Sequence, residues 1–173
     1  RHHAIEAVVD GWRTSSGIDS NISGSIELYQ ETEFDETRGK MKVKGLNRMA
    51  GGYHVHQVSK TMQAFLCFAL FTACLLSLQA SVPLDKEFPC SGDTVYGHYN
   101  PFEIGSIVPY PTVGSVDEYE AGDLSGKFGM LNNLEQQTME FIDLNLPVFG
   151  MNSVIGRSLV IHKLDNNFRW SCG

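Results

Sequence analysis

Short runs in which apolar and polar residues alternate recur along this chain, separated by clusters of Gly, Asn, Asp and Pro. Alternation with a period of two predicts half-buried strands, and many such runs between turn signals predict an all-β sandwich or barrel. Ile22-Ser23-Gly24-Ser25-Ile26-Glu27-Leu28 is one run; an acidic hairpin turn around Glu31 to Gly39 follows it, and Lys40 to Leu46 pairs back. Thr138 to Leu144 predicts a later strand. Ala4 to Val9 reads as a first strand or as the tail of a preceding linker, so residues 1–21 are set apart as a leading segment before a domain spanning 22–173. Ile104 to Tyr119 carries Pro109 and Pro111 and little charge before Asp117, which predicts a long loop covering a site.

Two runs carry histidine. In Gly51-Gly52-Tyr53-His54-Val55-His56-Gln57-Val58 the strand period places His54 and His56 on one face and Tyr53 and Val55 on the other, toward a core. In Arg157-Ser158-Leu159-Val160-Ile161-His162, Leu159 and Ile161 share one face while Ser158, Val160 and His162 share the other. His-x-His on a strand reads equally as a metal-ligating pair or as two histidines on a solvated face.

The alternating pattern breaks once. Met62 to Ala80 follows Lys60, runs apolar from Ala64 to Leu78 and ends in small residues, which is the make-up of a secretory signal peptide. It is shorter than the roughly 20 residues a membrane span needs. Its place inside the chain, at 60–81, interrupts the domain, and removing it joins Val58 almost directly to Val82 in a loop of sensible length. Two readings follow: a mis-joined exon, or a real apolar helix that sits in a membrane or on a partner, with Cys67 and Cys74 on one face. The absence of an initiator Met and the stop at Cys172-Gly173 fit a fragment or an excised repeat unit.

A length of 173 residues suits one domain with a sizeable core. The formal net charge of −7, with no basic run, excludes nucleic acid as an expected partner. Of six histidines, His2 and His3 lie at the start; His54, His56, His98 and His162 lie in three separate strand-like or turn-like segments. Four imidazoles are borderline nitrogen donors suited to copper(II) or zinc, and tetragonal all-nitrogen ligation favours copper.

At this point the sequence resembles a known family. Lys42-Val43-Lys44-Gly45-Leu46 followed by Gly52-Tyr53-His54-Val55-His56 resembles the fourth-strand copper motif of copper/zinc superoxide dismutases. Gly97-His98-Tyr99-Asn100-Pro101, Gly122-Asp123-Leu124, Ile155 to His162 and Arg169-Trp170-Ser171-Cys172-Gly173 are similar to further elements of that family, in the same order. The resemblance implies a Greek-key, immunoglobulin-like β-barrel or sandwich, with the family's final strand expected after Gly173, hence missing, and an unpaired barrel edge there. It implies superoxide as substrate and copper as cofactor. It further implies His54, His56, His98 and His162 as copper ligands, Cys90 and Cys172 as a disulfide, and Arg169 as the dock for the anion, whose guanidinium offers a two-pronged donor set.

The departures from the family carry as much. Tyr99 to Ala121 contains no histidine, and only Asp123 remains of the expected zinc set, so zinc is not expected. Six residues, Lys163 to Phe168, separate His162 from Arg169, so the family's long electrostatic loop is missing. The sequence is similar to copper-only superoxide dismutase repeat proteins, which brings neighbouring repeats into view as partners. Without zinc, something else must fix His98. Glu120 stands where a zinc-ligand histidine stands in the family, and is expected to accept a hydrogen bond from His98, with Asp123 supporting behind it; the plainer reading is two loop carboxylates in an acidic stretch with Asp117 and Glu118.

The implied disulfide, the secretion-like segment and the N-glycosylation sequon at Asn21 together favour an extracellular setting. Three functions are thus in play: an extracellular copper-only superoxide dismutase, a copper-binding structural or storage module on the same fold, and a non-functional gene product.

Overall fold

The computed structural model describes residues 4–14, 21–57 and 89–173; the Met62 to Ala80 stretch with Cys67 and Cys74, and His2 and His3, lie outside the described residues. Strands β1 (Ile5–Val9), β3 (Ser23–Gln30), β4 (Thr37–Lys44) and β6 (Gln136–Asp143) form one antiparallel sheet in the order β1-β3-β4-β6. Strands β2 (Arg13–Thr14), β8 (Arg169–Cys172), β7 (Ser158–Lys163) and β5 (Ala50–His56) form the second, in that order. Among the described residues no ladder joins the two sheets, so the architecture is an open-sided sandwich of the expected all-β kind.

The first sheet follows from simple alternation. In β4, Thr37, Gly39, Met41 and Val43 face inward and Arg38, Lys40, Lys42 and Lys44 face solvent. Ile26 and Leu28 of β3 join Met41 and Val43 in a core that also takes in Tyr53, Val55, Leu159, Ile161 and Trp170 from the second sheet. Each such large side chain, moved from water to the interior, contributes about 1.5–3 kcal/mol.

β5 does not follow the half-buried pattern: all seven of its residues are buried. One face joins the core. The other, carrying His54 and His56, is covered by segments from elsewhere in the chain, so the solvated-face reading of this pair does not hold.

The leading segment is woven into both sheets. β1 pairs with β3 along its whole length, and Trp12 donates from Nε1 to the Gly24 carbonyl at 2.9 Å. The chain's end also differs from expectation. Arg169–Cys172 is itself a strand, and its outer side is paired, Arg13 with Cys172 and Thr14 with Ser171. The expected long loop is present as irregular chain with one 3-10 turn at Val116–Glu118.

Among the described residues there are two short α-helices: α1 (Gly92–Val95) follows Cys90, and α2 (Leu124–Phe128) follows Asp123. Cys90 is disulfide-bonded to Cys172, 82 residues apart in sequence, and their sulfurs sit with Val95 and Val160 in a small second apolar cluster.

Candidate metal centre

Three separate stretches of backbone are aligned at the site by a closed set of hydrogen bonds. Val55 N–H donates to Gly122 O (2.8 Å), Tyr99 N–H to Val55 O (2.9 Å) and Gly122 N–H to Tyr99 O (2.9 Å). Val55 lies between His54 and His56, Tyr99 follows His98, and Gly122 lies between Glu120 and Asp123, so this triangle sets every one of those side chains in register. Gly122 has to be glycine: a Cβ there would stand 2.4 Å from the Val55 carbonyl oxygen. Tyr99 is further held by its hydroxyl, which donates to Asn152 O at 2.8 Å, and by the Arg157 guanidinium 3.7 Å above its ring.

The four histidines meet. One nitrogen from each of His54, His56, His98 and His162 falls within 4.8 Å of the others. The outward-facing nitrogens explain which atoms those are. His56 Nδ1 lies 2.8 Å from the Tyr96 carbonyl oxygen and His162 Nδ1 lies 2.8 Å from the Asn167 carbonyl oxygen. A carbonyl only accepts, so both Nδ1 atoms carry hydrogen and both Nε2 atoms present lone pairs to the centre. His98 Nδ1 lies 2.9 Å from Glu120 Oε2, which directs its Nε2 inward as well. His54 is turned the other way: its Nε2 faces Ser125 Oγ at 3.0 Å, and its Nδ1 is buried with no hydrogen-bond partner.

This arrangement suits a metal ion. His56 Nε2 and His162 Nε2 stand 3.4 Å apart, and two lone pairs that close repel one another unless a cation lies between them. The orphaned His54 Nδ1 is a buried acceptor of the sort a protein does not leave unused. Burial, reinforced by the neighbouring imidazoles, holds His54 at a pKa of about 2 and His56 at about 3, and it lowers that of His162. All three are therefore neutral at pH 7, with lone pairs available to a metal ion. His98 is the exposed member, its side chain about a third open to solvent.

Around the histidines the other expected residues take definite places. Glu120 lies behind His98, and its second oxygen accepts from Asn100 Nδ2 at 3.3 Å. Asp123 does not reach His98. It lies behind His54, 3.4 Å from His54 Nε2, and caps α2 by accepting from Gly126 N–H at 2.7 Å. The difference arises because Asp123 opens a helix turn that carries its carboxylate toward β5. Arg169 donates from Nη2 to Tyr96 O at 3.0 Å, and with Ser91, His98, His162, Asn167 and Phe168 it lines a cleft of about 590 Å³. Asn21 is exposed just ahead of β3.

Several contributors were not anticipated from the sequence. Ser125, the Tyr96 carbonyl and the Asn167 carbonyl all hold histidine rings, and Lys127 of α2 is fully buried against Asp143 of β6 at 2.8 Å. The Lys127 ammonium also donates to Ala121 O at 2.9 Å. Burial lowers the Lys127 pKa while the Asp143 carboxylate opposes that shift. Lys127 in the Leu124-Ser125-Gly126-Lys127-Phe128 stretch after Asp123 was the available sequence clue, since a lone charge in an otherwise uncharged segment needs a partner once buried.

The comparisons agree with this geometry. Residues 22–171 match the family model described as copper/zinc superoxide dismutase (SODC). Among solved structures, the chain resembles Candida albicans superoxide dismutase 5 in a glutamate-to-alanine variant, at 22% identity and a TM-score of 0.64, covering 96% of this chain and 85% of that one. An aspartate-to-asparagine variant of the same enzyme matches at 21% identity and a TM-score of 0.62, covering 97% and 88%. With its sandwich fold, its cluster of four histidines and its Cys90–Cys172 bridge, the chain belongs to the copper/zinc superoxide dismutase family, a family of oxidoreductases that act on superoxide.

Proposed function

We propose that this chain is a copper-only superoxide dismutase domain working outside the cell. The observation that carries the reading is Glu120 Oε2 at 2.9 Å from His98 Nδ1. In zinc-containing members of the family the histidine matching His98 bridges copper and zinc, its far nitrogen on zinc; here a carboxylate takes that nitrogen, so the ring is held without a second metal. Copper, held by His54, His56, His98 and His162, would supply a one-electron couple that oxidises one superoxide to oxygen and reduces the next to hydrogen peroxide.

The chain's own residues supply the rest. Arg169 presents its guanidinium at the cleft beside His98 and His162, where a small anion is held by paired donors. His98 is the most solvent-accessible of the four rings, so it is the one placed to pass a proton from water toward the reduced anion. Glu120 holds the ring in place through Nδ1. The short Lys163 to Phe168 connection leaves the cleft open. Fewer charged walls focus the field less, so association is steered less strongly than in members with the long loop. The disulfide and the exposed sequon at Asn21 support an oxidising, extracellular setting.

The test is dismutation by the copper-loaded protein with metal content measured alongside. One copper per chain, no requirement for zinc, loss of activity in His162→Ala and a lowered rate in Arg169→Ala are expected. Glu120→Gln should lower turnover and move its pH profile; an unchanged profile would sink the role given to Glu120. Tight copper binding without turnover would instead assign the chain as a metal-holding module.

A further inference from the structure

We infer that Ser125 is a positioning residue of the metal centre: its hydroxyl carries the charge of Asp123 to His54 and selects the tautomer in which hydrogen lies on His54 Nε2 and the lone pair on Nδ1. The inference rests on the metal-centre reading above and concerns one residue outside the ligand set.

Ser125 is buried, and its Oγ sits 3.0 Å from His54 Nε2 and 3.0 Å from Asp123 Oδ1. A serine hydroxyl has one hydrogen. The carboxylate oxygen can only accept, and it already takes Gly126 N–H at 2.7 Å, so the serine hydrogen goes to Asp123. Ser125 Oγ then accepts from His54, whose hydrogen must lie on Nε2. The lone pair is left on Nδ1, the buried atom without a partner that faces the other three rings.

The rest of the neighbourhood serves this placement. Gly52 leaves the room: a Cβ there would stand 2.9 Å from His54 Cε1 and 3.3 Å from Ser125 Oγ. Lys127, two residues beyond Ser125, is pinned to Asp143 and to Ala121 O, so the single turn of α2 is fastened at both ends. His56, His98 and His162 each give their outer hydrogen directly to an oxygen of backbone or carboxylate; His54 alone among the four gives it to a hydroxyl. A hydrogen bond from the far nitrogen to a charged acceptor raises the basicity of the ligating nitrogen, and loss of such a partner typically costs 10–100-fold in metal affinity.

The test uses the full chain in four forms: parent, Ser125→Ala, Asp123→Asn and the double variant. The metal-free parent is first labelled with nitrogen-15 in histidine, and the tautomer of His54 is read by NMR. Hydrogen on Nε2 is expected; hydrogen on Nδ1 overturns the proposal whether or not any variant folds. Copper(II) affinity is then measured by competition with a chelator, and the ligand field by EPR. Ser125→Ala should weaken copper(II) binding 10–100-fold and shift the EPR hyperfine splitting. Asp123→Asn should do much less in the Ser125→Ala background than in the parent, because the path between them is already cut. Additive effects, or a Ser125→Ala protein with parental affinity and spectrum, overturn the proposal. A parent that binds no copper would count against the functional reading instead, and the NMR result would still decide the role of Ser125.

Discussion

His56 and Arg169 share a single acceptor, the carbonyl oxygen of Tyr96, which takes the imidazole Nδ1–H at 2.8 Å and the guanidinium Nη2–H at 3.0 Å. One peptide group thereby fixes both a metal-facing ring and the anion-facing cation. Tyr96 closes α1, which begins two residues after the bridged Cys90, so the oxygen is placed by a short helix tied covalently to β8. Its backbone has φ 62° and ψ −158°, a conformation nearly reserved for glycine.

That conformation favours glycine over other small residues. Such backbone costs on the order of 1–3 kcal/mol in a non-glycine residue, while glycine adds under about 1 kcal/mol of unfolded-state entropy. Tyr96→Gly should therefore be more stable than Tyr96→Ala by about 1 kcal/mol in urea unfolding. Both lose the ring, and only glycine relieves the strain.

Cutting the Cys90–Cys172 bridge should cost about 4 kcal/mol, as expected for a closed loop of this length. The comparison is between the parent and the Cys90→Ser, Cys172→Ser double variant under non-reducing conditions. Arg169 should loosen along with it, so superoxide turnover in the double variant should fall more than its copper content does.

The buried ion pair of Lys127 and Asp143 ties the helix behind His54 to the first sheet. Removing one partner strands a charge in the interior, so Lys127→Met should destabilise by about 3–5 kcal/mol. Replacing both, Lys127→Met with Asp143→Leu, should recover most of that loss. Copper affinity should follow stability in the single variant, because α2 carries Ser125 and is capped by Asp123.

Acid should destabilise the metal-free protein earlier than an ordinary carboxylate titration would. His54 and His56 have folded-state pKa values of about 2 and about 3 against an ordinary 6.5. Between those values the unfolded chain binds protons that the native chain refuses. Their contribution is thus present in full above pH 6.5 and is lost progressively as pH falls toward 3. Urea midpoints of the metal-free protein from pH 7.5 to 4.5 should fall steadily; copper loading should flatten the upper part of that curve.

The sequence by itself determined the strands and most of the cluster. A period of two along Tyr53-His54-Val55-His56 and along Leu159 to His162 needs no tertiary information, because successive strand residues must face opposite ways. The four histidines, Arg169 and the cysteine pair were legible through spacing that resembles a family, and Glu120 through a missing histidine. Tertiary structure alone decided what stands behind each ring. Two of those partners, the carbonyls of Tyr96 and Asn167, are backbone atoms that every residue type carries, so no sequence pattern marks them. Asp123 was legible as a site residue yet reached His54 rather than His98, because the direction of its side chain depends on the helix turn it caps. The burial of both faces of β5, and the pairing of β2 with β8, likewise follow from which segments pack together across long sequence distances, which local alternation does not encode.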